Sequence, residues 1–135
     1  MDEVISFLKN LDVYEDDNVV LACSYGPDSM VLLDILKKMN FNVIVAHINH
    51  KLRKESDQEF NDLKKYCEDN DIIFEGTLID SYPKGNVEAY AREFRYIFFE
   101  KVINKYKGKY LFTAHHGDDL IETIFFPNSP MHDGG

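Results

Sequence analysis

The sequence predicts an α/β domain built on a parallel sheet flanked by helices. Three observations carry that expectation. Short apolar runs alternate with longer segments of helical periodicity. Each apolar run closes on a turn or on polar residues. The alternation occurs at least three times, as parallel βαβ units with right-handed crossovers require.

Val19-Val20-Leu21-Ala22-Cys23 is apolar throughout and is entered from the polar Glu15-Asp16-Asp17-Asn18. It ends in a turn at Ser24 to Pro27, the pattern of a strand buried on both faces. Met30, Leu33, Ile35 and Leu36 then recur at helical spacing as far as Asn40. Asn42 to Ala46 reads as a second buried strand, and Glu55 to Asn70 as an amphipathic helix carrying Phe60, Leu63, Tyr66 and Cys67 on one side. Asp71-Ile72-Ile73-Phe74 opens a third strand, and Tyr82 to Asn86 forms a loop. Val87 to Tyr106 is a long aromatic-rich helix broken at Gly108. Tyr110 to Ala114 is a fourth strand, followed by a helical-looking Leu120 to Ile124. Pro127 and Pro130 then cut that helix short, because proline removes a backbone donor and clashes with the preceding turn.

The chain has 135 residues, enough for one domain with a core and too few for two. Its 44% hydrophobic and 29% charged residues suit a soluble globular protein. No apolar run approaches the length of a membrane span, and Met1-Asp2-Glu3-Val4 lacks the basic-then-apolar order of a signal peptide. The expected location is cytoplasmic, with no membrane partner. Cys23 and Cys67 lack metal-ligand spacing and read as small buried hydrophobes. The net charge of −9 opposes gripping nucleic acid through its backbone, so any RNA substrate would draw its affinity from elsewhere.

Ligands of parallel sheets bind beyond the carboxyl ends of the strands. The segments Ser24–Ser29, His47–Arg53 and His115–Asp119 all follow strands and should converge on one edge. The first joins a strand to a helix start through small residues, which makes an anion site: backbone N–H groups point outward and the helix dipole adds favourable charge. Gly26 permits close approach, Ser24 and Ser29 add hydroxyls, and Pro27 suits the first turn. Asp28 makes sense as a helix cap or as a magnesium ligand. No Gly-Lys-Ser/Thr is present, so the loop is not a Walker A motif. The alternative is a plain helix cap.

The loop's Ser-x-Gly-x-Asp-Ser resembles the pyrophosphate loop of the PP-loop ATP pyrophosphatase superfamily. Three further segments are similar to motifs of its tRNA(Ile)-lysidine synthetase family. They are His47-Ile48-Asn49-His50-Lys51-Leu52-Arg53, Glu88 to Tyr96 with Ala91-Arg92 and Arg95-Tyr96, and Ala114-His115-His116-Gly117-Asp118-Asp119 with Glu122-Thr123. The resemblance implies a Rossmann-like, adenine nucleotide alpha hydrolase-like fold. Residues 1–126 would form the ATP-binding catalytic domain, incomplete at its C-terminal end, and 127–135 a disordered tail.

The implied reaction uses ATP and Mg2+. It adenylates the wobble cytidine of tRNA(Ile), joins free L-lysine to it as lysidine, and releases AMP and pyrophosphate. The resemblance places ATP on Ala22, Ser24, Tyr25, Gly26, Pro27, Asp28, Ser29 and His47, with Asp28 also the magnesium ligand. Arg92 and Arg95, three apart on one helix face, would reach the phosphates or adenylate together with His115; the alternative for the arginines is surface charge. Asp119 and Glu122, three apart at a helix start, would recognise lysine; capping is the alternative. His50 and Arg53 belong to a locally basic loop that meets substrate or is simply solvated. A zinc site at His115, His116 and Asp119 is a minor option. Tyr25 departs from the family, where the position is glycine. A β-carbon is tolerated there only at negative φ, which predicts a slightly reshaped loop.

Two other functions compete. A related tRNA thiolation enzyme would carry C-x-x-C pairs, which are absent here. A truncated nucleotide-binding fragment would bind ATP and turn nothing over. An unfinished C-terminal end would also expose a sheet edge or apolar face, inviting self-association as a homodimer.

Overall fold

A computed structural model describes the backbone of residues 2–10, 16–114 and 121–124. The described elements are α1 (Asp2–Asn10), β1 (Asn18–Ala22), α2 (Pro27–Lys38), β2 (Asn42–Asn49), α3 (Ser56–Asp69), β3 (Ile73–Leu78), α4 (Val87–Tyr106), β4 (Tyr110–Ala114) and β5 (Ile121–Ile124). The strands form one sheet in the order β3-β2-β1-β4-β5. The first four are mutually parallel and β5 returns antiparallel to β4.

Strand residues alternate strictly between two apolar layers, because successive side chains leave opposite faces. Val19 and Leu21 of β1, Val43 and Val45 of β2, and Tyr110 and Phe112 of β4 join one core with Leu8, Leu33, Leu36, Leu63 and Cys67. Val20, Ile44, Ala46, Ile48 and Leu111 join the other, with Phe99, Val102 and Ile103 of α4. Helices α1, α2 and α3 therefore cover one face and α4 the other, which is why the inner strands are apolar at every position. Cys23 and Cys67 are buried and free. Among the described residues no helix is long and apolar enough to cross a membrane.

The strands run out from β1 to β3 on one side and to β4 on the other, so the chain reverses direction at β1. The loop leaving β1 lies at that reversal, where open α/β sheets hold their ligands.

Four features differ from the sequence expectation. A helix, α1, forms at residues 2–10, where no element was expected; Leu8 is fully buried and seats it. Strand β2 continues through Asn49, because pairing with β3 runs on to Asn49↔Leu78. The left-handed residue ending α4 is Lys107, one before Gly108. Ile121–Ile124 is a strand rather than part of a helix. Three of its four residues are β-branched, and it covers the edge that β4 would otherwise leave unpaired. The boundary at 126 and the tail at 127–135 fall outside the described residues.

Candidate functional site

The loop after β1 enters α2 through Gly26, whose backbone is extended (φ −80°, ψ 167°), with Pro27 at the first turn. Met30 N donates to Gly26 O (3.0 Å), the first bond of the helix. Gly26, having no side chain, supplies no cap to this helix start. The contrast is α4, where the Asn86 side chain accepts from Ala89 N at 3.0 Å. The residue before α2 thus brings no side chain of its own to the first-turn N–H groups.

Gly26 is not there for the backbone's sake. Its φ is open to any residue, and a β-carbon would meet only the Ser24 hydroxyl, at an ordinary 3.4 Å. A glycine that neither strain nor packing requires, at the start of a helix, leaves the backbone there open to close approach. Ser24 and Ser29 hold the loop together: their hydroxyls are 3.2 Å apart, and Ser24 N donates to Ser29 Oγ at 3.4 Å. Asp28 lies in the same first turn.

Tyr25 behaves contrary to expectation. It adopts φ +62°, so the loop keeps a left-handed residue at this position and tyrosine bears the strain. The ring packs against the α2-side core, which offsets that cost. Comparing Tyr25→Gly with Tyr25→Ala removes the ring from both variants and leaves only the β-carbon between them. The glycine variant is expected to be more stable by about 1 kcal/mol in urea unfolding, against the usual order of the two residues. An alanine variant of equal stability would mean that Tyr25 is unstrained.

Two grooves meet at this loop. One, of about 320 Å³, is lined by Ser24, His47, Asn49, His50, Arg53 and Glu59 among others. The second, of about 150 Å³, is lined by Ala22, Ser24, His47, His50, Arg95 and Phe99 among others. Ser24, His47 and His50 belong to both walls. The expected residues Ala22, Ser24, His47, His50, Arg53 and Arg95 are therefore brought together. Arg95 lies over the Phe99 ring at 5.3 Å, whereas Arg92 is exposed and lines neither groove.

His47 is held in one orientation. Its Nδ1 is 2.7 Å from the Cys23 carbonyl, which can only accept, so Nδ1 carries the proton and Nε2 is left as the acceptor of the neutral ring. Burial holds its pKa below the ordinary histidine value, against the pull of the Cys23 carbonyl. Phe60 packs on the ring (centroids 5.7 Å) and Phe74 packs edge-on against Phe60 (5.4 Å). Gly76 makes room for that stack, since a β-carbon there would lie 2.6 Å from both phenylalanine rings. Burial also raises the neighbouring Cys23 thiol to about 11, so it stays neutral.

The locally basic loop proves to be compensated. Arg53 pairs with Glu59, and Lys51 with Asp57 at 3.7 Å, both acids lying in the first turn of α3. Asn49, buried, donates to Asp57 (2.8 Å) and accepts from Lys51 N (2.9 Å), which fixes Lys51 at φ +55°. His115 and Asp119 fall outside the described residues, and of Glu122 only the backbone is described, opposite Thr113. Because Glu122 lies in a strand, the helical spacing expected to align it with Asp119 does not apply. Among the described residues no cluster of three metal-binding side chains occurs.

Gly76 and Phe99 were not singled out from the sequence, Phe60 was expected only on the apolar side of its helix, and Tyr82 only in a loop. Their place at the site comes from contacts that only the fold creates, and no local pattern marks them as site residues.

Comparison with known proteins follows the same lines. A family model described as a PP-loop domain matches residues 2–129. A tRNA(Ile)-lysidine synthase of Lactiplantibacillus plantarum is 40% identical over 111 residues, covering 78% of this chain and 25% of that protein. The tRNA(Ile)-lysidine synthase of Streptococcus gordonii is 44% identical over 115 residues, 82% of this chain and 26% of its own length. The chain thus spans about a quarter of the length of these relatives. Among solved structures, a U34-tRNA thiolase from Methanococcus maripaludis, determined with its 4Fe–4S cluster, superposes with a TM-score of 0.63. That match has 20% identity, covers 78% of this chain and 40% of the thiolase, and bears out the fold. A family match of that extent, over a sheet of that order, makes this chain a member of the PP-loop domain family.

Proposed function

We propose that this chain binds ATP at the β1–α2 loop and serves tRNA modification, with lysidine formation on tRNA(Ile) as the specific reaction. The observation that supports it best is Gly26 at the start of α2, a glycine that neither the backbone conformation nor packing there needs. Phosphate oxygens suit the first-turn N–H groups and the hydroxyls of Ser24 and Ser29. Asp28 fits Mg2+, which takes one or two carboxylates together with phosphate oxygens and would screen the charge of the triphosphate. The adenosine would lie over Ala22 and His47, with Arg95 able to offset the negative charge of an adenylate.

In the proposed reaction ATP is cleaved between its α and β phosphates to adenylate the wobble cytidine. The amine of L-lysine then displaces AMP. His115, Asp119 and Glu122 are the residues the family resemblance gives to adenylate and lysine. Nucleotide binding without turnover is the second reading; the named synthases are about four times as long as the matched region.

One experiment separates the two. Calorimetry with ATP and Mg2+ is paired with ATP–pyrophosphate exchange in the presence of tRNA(Ile) and lysine. Asp28→Ala is expected to weaken ATP by about tenfold to a hundredfold, the range for losing a charged contact. Exchange that depends on Asp28 supports the ligase. Binding with no exchange supports the second reading, and a wild-type chain that binds no ATP overturns both.

A further inference from the structure

Tyr82 lies between β3 and α4, outside every motif named above. Its ring packs against the α4-side core and edge-on against Tyr90 of α4, with centroids 6.0 Å apart. Its hydroxyl meets His50 twice. It donates to the His50 carbonyl at 3.2 Å and lies 3.1 Å from His50 Nδ1. A phenol has one hydrogen. With that hydrogen given to the carbonyl, the oxygen can only accept from Nδ1, so Nδ1 carries a proton. The neutral ring then has its lone pair on Nε2.

The carbonyl contact alone would pin the end of β2. The second contact does something else: it selects the tautomer of a histidine that lines both grooves. We infer that Tyr82 is a positioning residue for the site, holding His50 with Nε2 as an acceptor for an N–H or O–H donor of the ligand. The inference rests on the ATP-binding reading above.

His47 is set in the same state by the Cys23 carbonyl, so both histidines of the shared wall carry an acceptor nitrogen. Burial lowers the His50 pKa, reinforced by the charge of Arg95 and by any charge that His47 takes up, and favours the neutral ring. Two neutral acceptors repel phosphate oxygens and attract donors. Phosphates are thereby sorted to the α2 end of the site, and the donor-bearing part of the ligand to the β2 end. An amine or hydroxyl of ATP and the amine of lysine share this chemistry.

The test uses the full chain with Tyr82→Phe, which keeps the ring and removes only the hydroxyl. Nitrogen-15 shifts of the His50 ring are expected to show Nδ1–H in the wild type and loss of that preference in the variant. Calorimetry with ATP alone and with L-lysine alone is expected to show about a twofold to tenfold loss for whichever supplies the donor, the range for one hydrogen bond. The thermal midpoint should fall by no more than a few degrees, roughly the loss of one hydrogen bond. The ligand that weakens identifies the donor. A His50 ring protonated on Nε2 in the wild type, a tautomer unchanged by the variant, or affinities unchanged for both ligands overturns the inference. A wild type that binds neither ligand sinks the ATP-binding reading, while the ring measurement still decides the role of Tyr82.

Discussion

Replacing Gly26 by aspartate is expected to abolish ATP binding while leaving the domain at least as stable as before. The two effects have one origin. Gly26 occupies the position before α2 in an extended conformation, which aspartate adopts readily. Aspartate is among the best residues there, because its carboxylate accepts from the exposed N–H groups and gains a few tenths of a kcal/mol over glycine. The same carboxylate then occupies the donors proposed for phosphate and adds a negative charge against the incoming triphosphate. A loss of at least ~100-fold in affinity follows from an unfavourable term of ~3 kcal/mol, the scale of a lost charge-assisted bond. Urea unfolding and ATP calorimetry on the same sample check both halves. Retained ATP binding in Gly26→Asp would show that phosphate lies elsewhere.

The second large effect concerns the sheet beneath the loop. Phe112 of β4 is fully buried, pairs in register with Leu21 of β1 and packs against Tyr110 at 5.8 Å. Phe112→Ala is expected to cost about 3–5 kcal/mol, through lost burial and the cavity left behind. That is a large part of the ~5–15 kcal/mol holding a typical domain together. The comparison is Tyr96→Ala on α4: Tyr96 is 51% exposed, and its loss should change stability by no more than about 0.5 kcal/mol. A Phe112→Ala midpoint in urea close to that of Tyr96→Ala would contradict the two-layer core.

The sheet was legible because burial on two faces leaves a plain mark. Val19 to Ala22 and Val43 to Ala46 are apolar at successive positions, and few other local structures produce that. The loop joining β1 to α2 was legible because its residues are contiguous. Tyr25 was misjudged because the loop's backbone geometry wins over the preference of the side chain it carries. The strand at Ile121–Ile124 was misjudged because four residues cannot display a period, and what decides them is the free edge of β4. The charge of the His50–Arg53 loop could not be read locally either. Its partners Asp57 and Glu59 are near in sequence, yet only the turn into α3 brings them alongside. Tyr82 and Gly76 carried no mark, since each is defined by a residue on another strand or helix.

The place of β1 in the sheet also governs when the site can exist. Its neighbours are β2, the next strand in the chain, and β4, the last of the described parallel strands. During synthesis β1 can pair with β2 early, but its other edge stays open until Tyr110–Ala114 has been made. At ~5–20 residues per second that interval lasts several seconds, and pairings so distant in sequence are slow to form even in a finished chain. Throughout it, the strand that launches the Gly26 loop has only half its support. Ribosome-bound chains that stop short of β4 should therefore carry every residue of the β1–α2 loop and still lack the finished binding site.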